Sequence, residues 1–259
     1  MRDSIVLTAE QVADYHENGF CIPDYQISED VLERIRENHA RFVSNWPKFR
    51  DYCPSILAFD TSFLEFARDP NILDMVEQVI GPNFALWNSS FFAKPAYTGN
   101  KTPWHQDGEY WPIRPVATCT VWLAVDDSTP ENGCLRVIKG SHKRQQLLQH
   151  ETNSAPNLTL NQELPKSEYD ESQAVDLVLK AGQISLHDVF LVHGSEANSS
   201  PNSRRGMTLR YMPLTSVFDR DLAVRQKEEM GLSFAHHDRT LFLMRGDDQT
   251  GRNDFRVRL

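Results

Sequence analysis

The chain is short of the features that mark disulfide scaffolds, metal knuckles, membrane spans and nucleic-acid surfaces. Four cysteines in 259 residues, Cys21, Cys53, Cys119 and Cys134, form no CxxC pair. That scatter indicates neither a zinc knuckle nor a disulfide framework and reads as reduced thiols, the expectation for a cytoplasmic protein. No apolar run could span a bilayer, none precedes Glu10, and the closing Val257-Arg258-Leu259 is no peroxisomal tripeptide, so neither export nor anchoring is expected. Lysine and arginine form no block and the net charge is −9, which argues against nucleic acid or an anionic membrane as partner. No internal repeat is evident. What is present is 40% apolar content, enough for one large core, and the expectation is a single catalytic domain.

The first third reads as helical. Thr8-Ala9-Glu10-Gln11 is a capping-box pattern, and Ser28 can cap a second helix whose Val31, Leu32, Ile35, Phe42, Val43 and Trp46 recur at helical spacing. A third helix is expected from Asn71 to Ile80, closed by Gly81-Pro82. From Phe84 the chain turns to short runs separated by turn residues, the pattern of an all-β sandwich or barrel. The expected strands are Phe84 to Lys94, Thr118 to Val125, Cys134 to Ile138, Val175 to Lys180, Gly182 to His187, Phe190 to His193 and Met207 to Met212. Gly140 to Gln173 is too long and polar for an ordinary connection, and is expected to be a mobile surface excursion or a lid. The division is a helical part at about 8–82, a β core at about 84–213 and an extension at 214–259 with little periodic signal.

Chemistry concentrates in Trp104-His105-Gln106-Asp107-Gly108, answered downstream by Val192-His193-Gly194-Ser195. On extended backbone His105 and Asp107, at i and i+2, project to one side while Gln106 points away. A second histidine from a distant strand completes two imidazoles and a carboxylate on one face of an ion, with three positions open, the non-haem Fe(II) oxygenase arrangement. Spacing alone leaves manganese, cobalt and catalytic zinc open. Each residue taken singly also reads as a core histidine or a turn cap. Two other classes fit the triad: a zinc or manganese hydrolase or isomerase, and a non-catalytic jelly-roll module that binds a ligand around a structural ion.

Metal preference and turnover separate these classes, and six further pieces of sequence add a resemblance that favours the oxygenase. Lys94-Pro95, His105-Gln106-Asp107 with Tyr110-Trp111-Pro112-Ile113-Arg114-Pro115, Thr120-Val121-Trp122-Leu123-Ala124, Asn132-Gly133-Cys134-Leu135, Gly140-Ser141-His142-Lys143 and His193-Gly194-Ser195 leading to Arg204 occur in one order. In that order they resemble the phytanoyl-CoA dioxygenase family of Fe(II)- and 2-oxoglutarate-dependent oxygenases, from about Phe92 to Tyr211. The resemblance implies a double-stranded β-helix, a cupin-like jelly-roll barrel, with His105, Asp107 and His193 as iron ligands. It implies that Arg204 pairs with the distal carboxylate of 2-oxoglutarate while Arg205 points outward, and that Lys94, Gln106, Trp122 and Ser195 also touch the co-substrate. For Trp122 a core aromatic, and for Lys94 a surface lysine, is the alternative. The implied reaction consumes 2-oxoglutarate and O2, releases succinate and CO2, and hydroxylates an unactivated C–H bond. Asp107 argues against halogenation, because halogenases of this superfamily have a small residue there.

Substrate is less defined. Asn88, Phe92, Glu109, Tyr110, Trp111, Arg114 and Arg210 flank the metal segments or share their face and are the candidates to line its pocket. Arg210, six residues past Arg204, stays on the same side of a strand, so it needs an anionic ligand or a buried carboxylate. Family members act on acyl-CoA chains, ectoine, organophosphonates and secondary metabolites. Without a basic cluster for CoA phosphates, a small polar molecule, anionic or zwitterionic, is favoured over an acyl-CoA. His187 lacks the Gly-Ser that follows His193 and is set aside as a ligand, and His236-His237 reads as an exposed pair.

Overall fold

The computed structural model describes residues 6–230 and 236–258, and the side chains of Tyr110 and Met230 lie outside that description. In chain order the elements are α1 (Ala9–Asn18), β1 (Phe20–Cys21), α2 (Glu29–Asn45), β2 (Tyr52–Cys53), α3 (Pro70–Ile80), β3 (Phe84–Lys94), β4 (Thr102–His105) and β5 (Ile113–Arg114). They continue with β6 (Cys119–Ala124), β7 (Leu135–Ile138), β8 (Glu151–Thr152), β9 (Gln162–Glu163), β10 (Ala174–Leu177) and β11 (Ile184–Asp188). The last are β12 (His193–Ser195), β13 (Arg204–Pro213), β14 (Val217–Phe218), α4 (Arg220–Met230) and β15 (Phe242–Arg245).

The helices start where their caps dictate. Thr8 Oγ1 accepts from Gln11 N at 3.1 Å while Gln11 Oε1 accepts from Thr8 N at 2.9 Å, a reciprocal box that satisfies two otherwise orphaned donors of α1. Ser28 caps α2, and Asp69, with Pro70 behind it, caps α3. On α2 Leu32, Ile35 and Phe42 are buried as expected, whereas Trp46, at the C-cap, stays exposed.

Two antiparallel sheets face each other, as in a jelly roll. The larger runs β1-β11-β6-β13-β3-β15, with β2 also on β3, and the smaller runs β10-β7-β12-β4. One face of the larger sheet, including Phe91, Val121, Leu123, Leu186, Met207 and Leu209, shares a continuous core with Leu32, Ile35 and Phe42 of α2 and Met75 and Val76 of α3. Each such side chain contributes about 1.5–3 kcal/mol by leaving water. The opposite face is polar. Register places Asn88, Arg210, Thr120 and His187 in one row across four strands, and Ser90, Thr208, Trp122 and Ser185 in the next. Alternation thus turns one side of the sheet to the helices and the other to the site.

Several sequence expectations shift. The strand expected at Phe190 to His193 begins instead at His193, because Asp188 closes a turn by accepting from Phe190 N at 2.8 Å through its side chain and from Leu191 N at 3.1 Å through its carbonyl. The helical third also contributes two-residue strands, β1 and β2, to the larger sheet. The extension with little periodic signal adds α4 and β15, and β15 pairs with Leu86, Ala85 and Phe84 at the start of β3. Residues 140–173 are not a free excursion. They carry the β8–β9 hairpin, and Leu164 N donates to Trp104 O at 2.7 Å, so the segment is laid on the site's own strand. No described helix is long and apolar enough to cross a membrane.

Candidate metal centre and co-substrate pocket

His105 closes β4, His193 opens β12, and the two are direct partners across the smaller sheet with ring centroids 4.2 Å apart. Each Nδ1 faces a carbonyl two residues earlier, Pro103 O at 2.8 Å and Leu191 O at 2.9 Å. Those bonds fix the tautomer and turn both Nε2 atoms inward, as a ligating histidine requires. The strand ends before Asp107, which opens a 3-10 turn over Asp107–Tyr110, but Gln106 remains extended at φ −111 and ψ 140. Asp107 therefore returns to the side of His105, and its Oδ1 lies 3.9 Å from His105 Nε2 and 4.0 Å from His193 Nε2.

Charge suits a cation at this point. Burial pushes His105 down to about 4 and His193 well below its usual range, so both imidazoles are neutral with lone pairs available. Burial works to raise Asp107, yet the Arg210 guanidinium and then His187 hold it well below the ordinary carboxylate range. The three donor atoms lie within 4.8 Å of one another. Two neutral imidazoles and one carboxylate on one side, with room opposite, fit a divalent ion of the facial-triad type.

His187 belongs here although its sequence context set it aside. Its Nε2 lies 3.5 Å from Asp107 Oδ2, the oxygen to which Thr120 Oγ1 donates at 3.4 Å. One carboxylate oxygen thus faces the imidazoles while the other is held from behind. Period-two counting on the expected strand at Gly182 to His187 carried this information, since His187 pairs with inward Thr120.

Beside the triad a narrow cavity is lined by Trp122, His187, His193, Ser195, Arg204 and Thr208, among others. Arg204 is buried at its far end. Its Nε and Nη2 donate to Gly133 O at 3.1 and 2.6 Å, and Nη2 reaches Ser195 Oγ at 3.5 Å. Among the described residues no carboxylate pairs with it, and burial lowers it to about 10, still protonated near neutral pH. Trp122 underlies the guanidinium at 5.4 Å. Its ring occupies the space above Gly206, where a Cβ would stand 2.2 Å from Trp122 Cζ2. Arg205 points outward to Asp126 at 2.7 Å, as expected.

Two residues expected at the co-substrate are engaged elsewhere. Lys94 is opposite Arg204 in register and buried rather than at the surface, but its Nζ donates to Asn100 O and it lines neither cavity at the metal. Burial, then Arg204, pushes it down to about 6. Gln106 points away from the triad and spends its amide on backbone: Nε2 donates to Phe190 O at 2.7 Å and Gln146 O at 3.1 Å, and Oε1 accepts from Leu148 N at 2.7 Å. It anchors the 140–173 segment.

On the other side of the triad opens a cavity of about 600 Å³, lined by the candidates Asn88, Phe92, Trp111 and Arg210 among others, and framed by residues 153–155 and 158–162 of the polar segment. Glu109 and Arg114 do not line it. Glu109 Oε2 turns to His150 Nδ1 at 3.7 Å, and exposed Arg114 folds back on Trp111 O and Ile113 O at 2.9 and 2.7 Å. The side chain of Tyr110 lies outside the described residues. Two lining residues come from the extension that had no signal: Arg239 and His236, the latter buried rather than exposed.

A two-sheet β fold with this triad beside a buried arginine defines an Fe(II)- and 2-oxoglutarate-dependent dioxygenase. A family model described as phytanoyl-CoA dioxygenase matches residues 15–206, and the chain belongs to that family. It is similar to a phytanoyl-CoA dioxygenase domain-containing protein 1 homolog of Dictyostelium discoideum, 35% identical over 256 residues, covering 80% of this chain and 91% of that protein. To the peroxisomal phytanoyl-CoA dioxygenase of Mus musculus it is 30% identical over 236 residues, 81% of this chain and 69% of the relative. Among solved structures, the non-heme monooxygenase ThoJ in its apo form shares the fold at a TM-score of 0.71 and 24% identity, covering 96% of this chain and 87% of that one.

Proposed function

We propose that this dioxygenase hydroxylates an unactivated C–H bond of a small polar molecule, anionic or zwitterionic, an organophosphonate being one instance. The observation that carries the reading is Arg210: a buried cation facing a cavity of drug-like size, 3.5 Å from the carboxylate of Asp107, with its Nε lacking any hydrogen-bond partner among the described residues. An acyl-CoA substrate would instead call for cations clustered to meet the CoA phosphates.

In this reading His105, Asp107 and His193 hold Fe(II), which supplies O2 activation coupled to oxidative decarboxylation of 2-oxoglutarate to succinate and CO2. Arg204 and Ser195 receive the distal carboxylate of 2-oxoglutarate, and a planar guanidinium suits that partner. Trp122 excludes water behind it. His187 and Thr120 keep the outer oxygen of Asp107 in place, and the 140–173 segment, pinned by Gln106, screens the substrate side from solvent. The chain acts as one catalytic unit, and four free, buried thiols support a reducing compartment such as the cytoplasm.

Succinate formation with Fe(II), ascorbate and air tests this across aminophosphonates, zwitterions of the ectoine type, amino acids and acyl-CoA thioesters. Stimulation by the small anions is expected. Stimulation by acyl-CoA alone would overturn the substrate class. Replacing His105, Asp107 or His193 with Ala is expected to abolish both iron retention and turnover, and full activity in any of the three would overturn the site.

A further inference from the structure

The large cavity carries more positive charge than one anionic contact needs. Two arginines from different elements reach it: Arg210 on β13, and Arg239 in the turn between α4 and β15. Both are buried, with 6% and 8% of their surface exposed. They meet across the inner face of β3. Arg239 Nη1 donates to Asn88 Oδ1, Asn88 Nδ2 donates to Ser90 Oγ at 3.2 Å, and Arg210 Nη1 donates to the same Ser90 Oγ at 2.6 Å.

Every one of those partners is neutral. Arg239 Nε donates to His236 Nδ1 at 2.9 Å, and among the described residues no carboxylate lies within ion-pair distance of it. Asp107 is the only carboxylate among the described residues lining the cavity. On the reading that the triad holds a divalent cation, the charge of Asp107 is already matched, and Arg204 answers the distal carboxylate of 2-oxoglutarate. Arg210 and Arg239 are then two buried positive charges without a counter-charge, an arrangement that persists in proteins when a ligand completes it.

Both are held ready. Trp111 lies under the Arg210 guanidinium at 5.1 Å, and Trp87 under that of Arg239 at 5.4 Å. The Arg239 turn is tied down by Arg220, which donates to Arg239 O at 2.9 Å, to His237 O and to Asp254 O at 3.1 Å. Fixed guanidiniums facing a cavity bind oxyanions without a large ordering cost.

We propose that Arg210 and Arg239 clamp a doubly charged tetrahedral oxyanion, the phosphonate or phosphate-ester head of the substrate, and that the C-terminal segment supplies half of the clamp. This rests on the oxygenase reading above. The test is calorimetric titration of the full chain, loaded anaerobically with Fe(II) and 2-oxoglutarate, with methylphosphonate and with acetate. Methylphosphonate is expected to bind at least ten-fold more tightly than acetate. Arg239→Gln, and Asn88→Asp, which sets a carboxylate against Arg239 at nearly unchanged volume, are each expected to weaken methylphosphonate at least ten-fold. Arg239→Lys should lose less, and Arg34→Gln, on the exposed face of α2, nothing. Melting curves identify any variant that fails to fold.

Equal affinity for the two anions, or native affinity for methylphosphonate in both folded Arg239→Gln and Asn88→Asp, would overturn the clamp. Equilibrium dialysis of labelled 2-oxoglutarate against the Fe(II)-loaded native chain separates the two levels. Retention without methylphosphonate binding overturns the clamp alone, and no retention overturns the oxygenase reading beneath it.

Discussion

Gly206→Ala tests how the co-substrate pocket is built. The new Cβ would stand 2.2, 2.5 and 2.9 Å from Cζ2, Cε2 and Nε1 of Trp122. Ordinary carbon contacts lie at about 3.5–4.0 Å, so the ring must retreat by more than about 1 Å. It has little room to do so, because Trp122 is 4% exposed and packs with Leu135, Val137, Leu177, Leu179 and Leu191. Gly206 cannot yield either, since β13 is paired on both sides, with Phe92 on β3 and Ala124 on β6. Its φ is not in the left-handed region, so the cost is steric and not conformational. Overpacking of this kind costs about 1–3 kcal/mol, and a rigid ring edge against a central strand belongs at the upper end. In a chain of this size that lowers Tm by about 2–4 °C per kcal/mol. Trp122 also underlies Arg204 at 5.4 Å, so its displacement moves the guanidinium. Affinity for 2-oxoglutarate should fall about ten-fold or more, which is at least about 1.4 kcal/mol. Circular-dichroism melting and equilibrium dialysis with labelled 2-oxoglutarate and Fe(II) under nitrogen read the two effects separately. A variant that melts with the native protein and binds 2-oxoglutarate as tightly refutes the argument; a lower Tm with native affinity would reduce Trp122 to a packing residue.

Three further outcomes are expected. Arg204→Ala should weaken 2-oxoglutarate by about 2–4 kcal/mol, as for loss of a desolvated charge-assisted pair, whereas Arg205→Ala, which breaks only the outward pair with Asp126, should leave that affinity unchanged; equal losses in dialysis would show that the two were misassigned. His187→Leu removes the group behind Asp107 Oδ2 and is expected to lower iron affinity about 10–100-fold in competition with a chelator, and native affinity would make His187 a bystander. Burial, then Arg205, pushes His39 down to about 4, against about 6.5 in the unfolded chain. Between those values the unfolded state binds the proton and the folded state does not, so stability is complete above pH 6.5 and falls as pH drops toward 4, by up to about 3 kcal/mol. His39→Phe, which preserves the stack on Phe91 at 4.1 Å, should shrink the loss of urea midpoint between pH 7 and pH 5; an unchanged pH slope relative to native would place the acid sensitivity elsewhere.

How much of this was legible depended on whether a residue's role is written in its own neighbourhood. The caps at Thr8 and Ser28, the strand Phe84–Lys94 and the placing of His105 and Asp107 on one side follow from local rules of capping and period-two alternation, and they appear where the sequence puts them. Arg204 and Arg210 were legible for the same reason: six residues on one strand share a face, and the bulge in β13 falls only after Arg210. Lys94 and Gln106 mark the limit of that logic. Both occupy the expected strand and loop, but Asn100 O captures the ammonium of one and three backbone groups capture the amide of the other, and such partners are set by loop paths that no spacing encodes. Arg239 lay beyond it altogether. Nothing around Phe242-Leu243-Met244-Arg245 alternates strongly enough to announce a strand, and β15 exists because the first three residues of β3 have an open edge to pair with. That pairing, with the grip of Arg220 on the preceding turn, carries Arg239 to Asn88, 151 residues away in sequence. The triad, Arg204 and Arg210 lie on or beside the strands of the barrel and are read from pattern; Arg239, the second arginine of the proposed clamp, is delivered by a peripheral segment and is visible only in three dimensions. Loop and terminal segments can vary without disturbing the iron site, so selection for a new substrate acts first where local sequence rules say least.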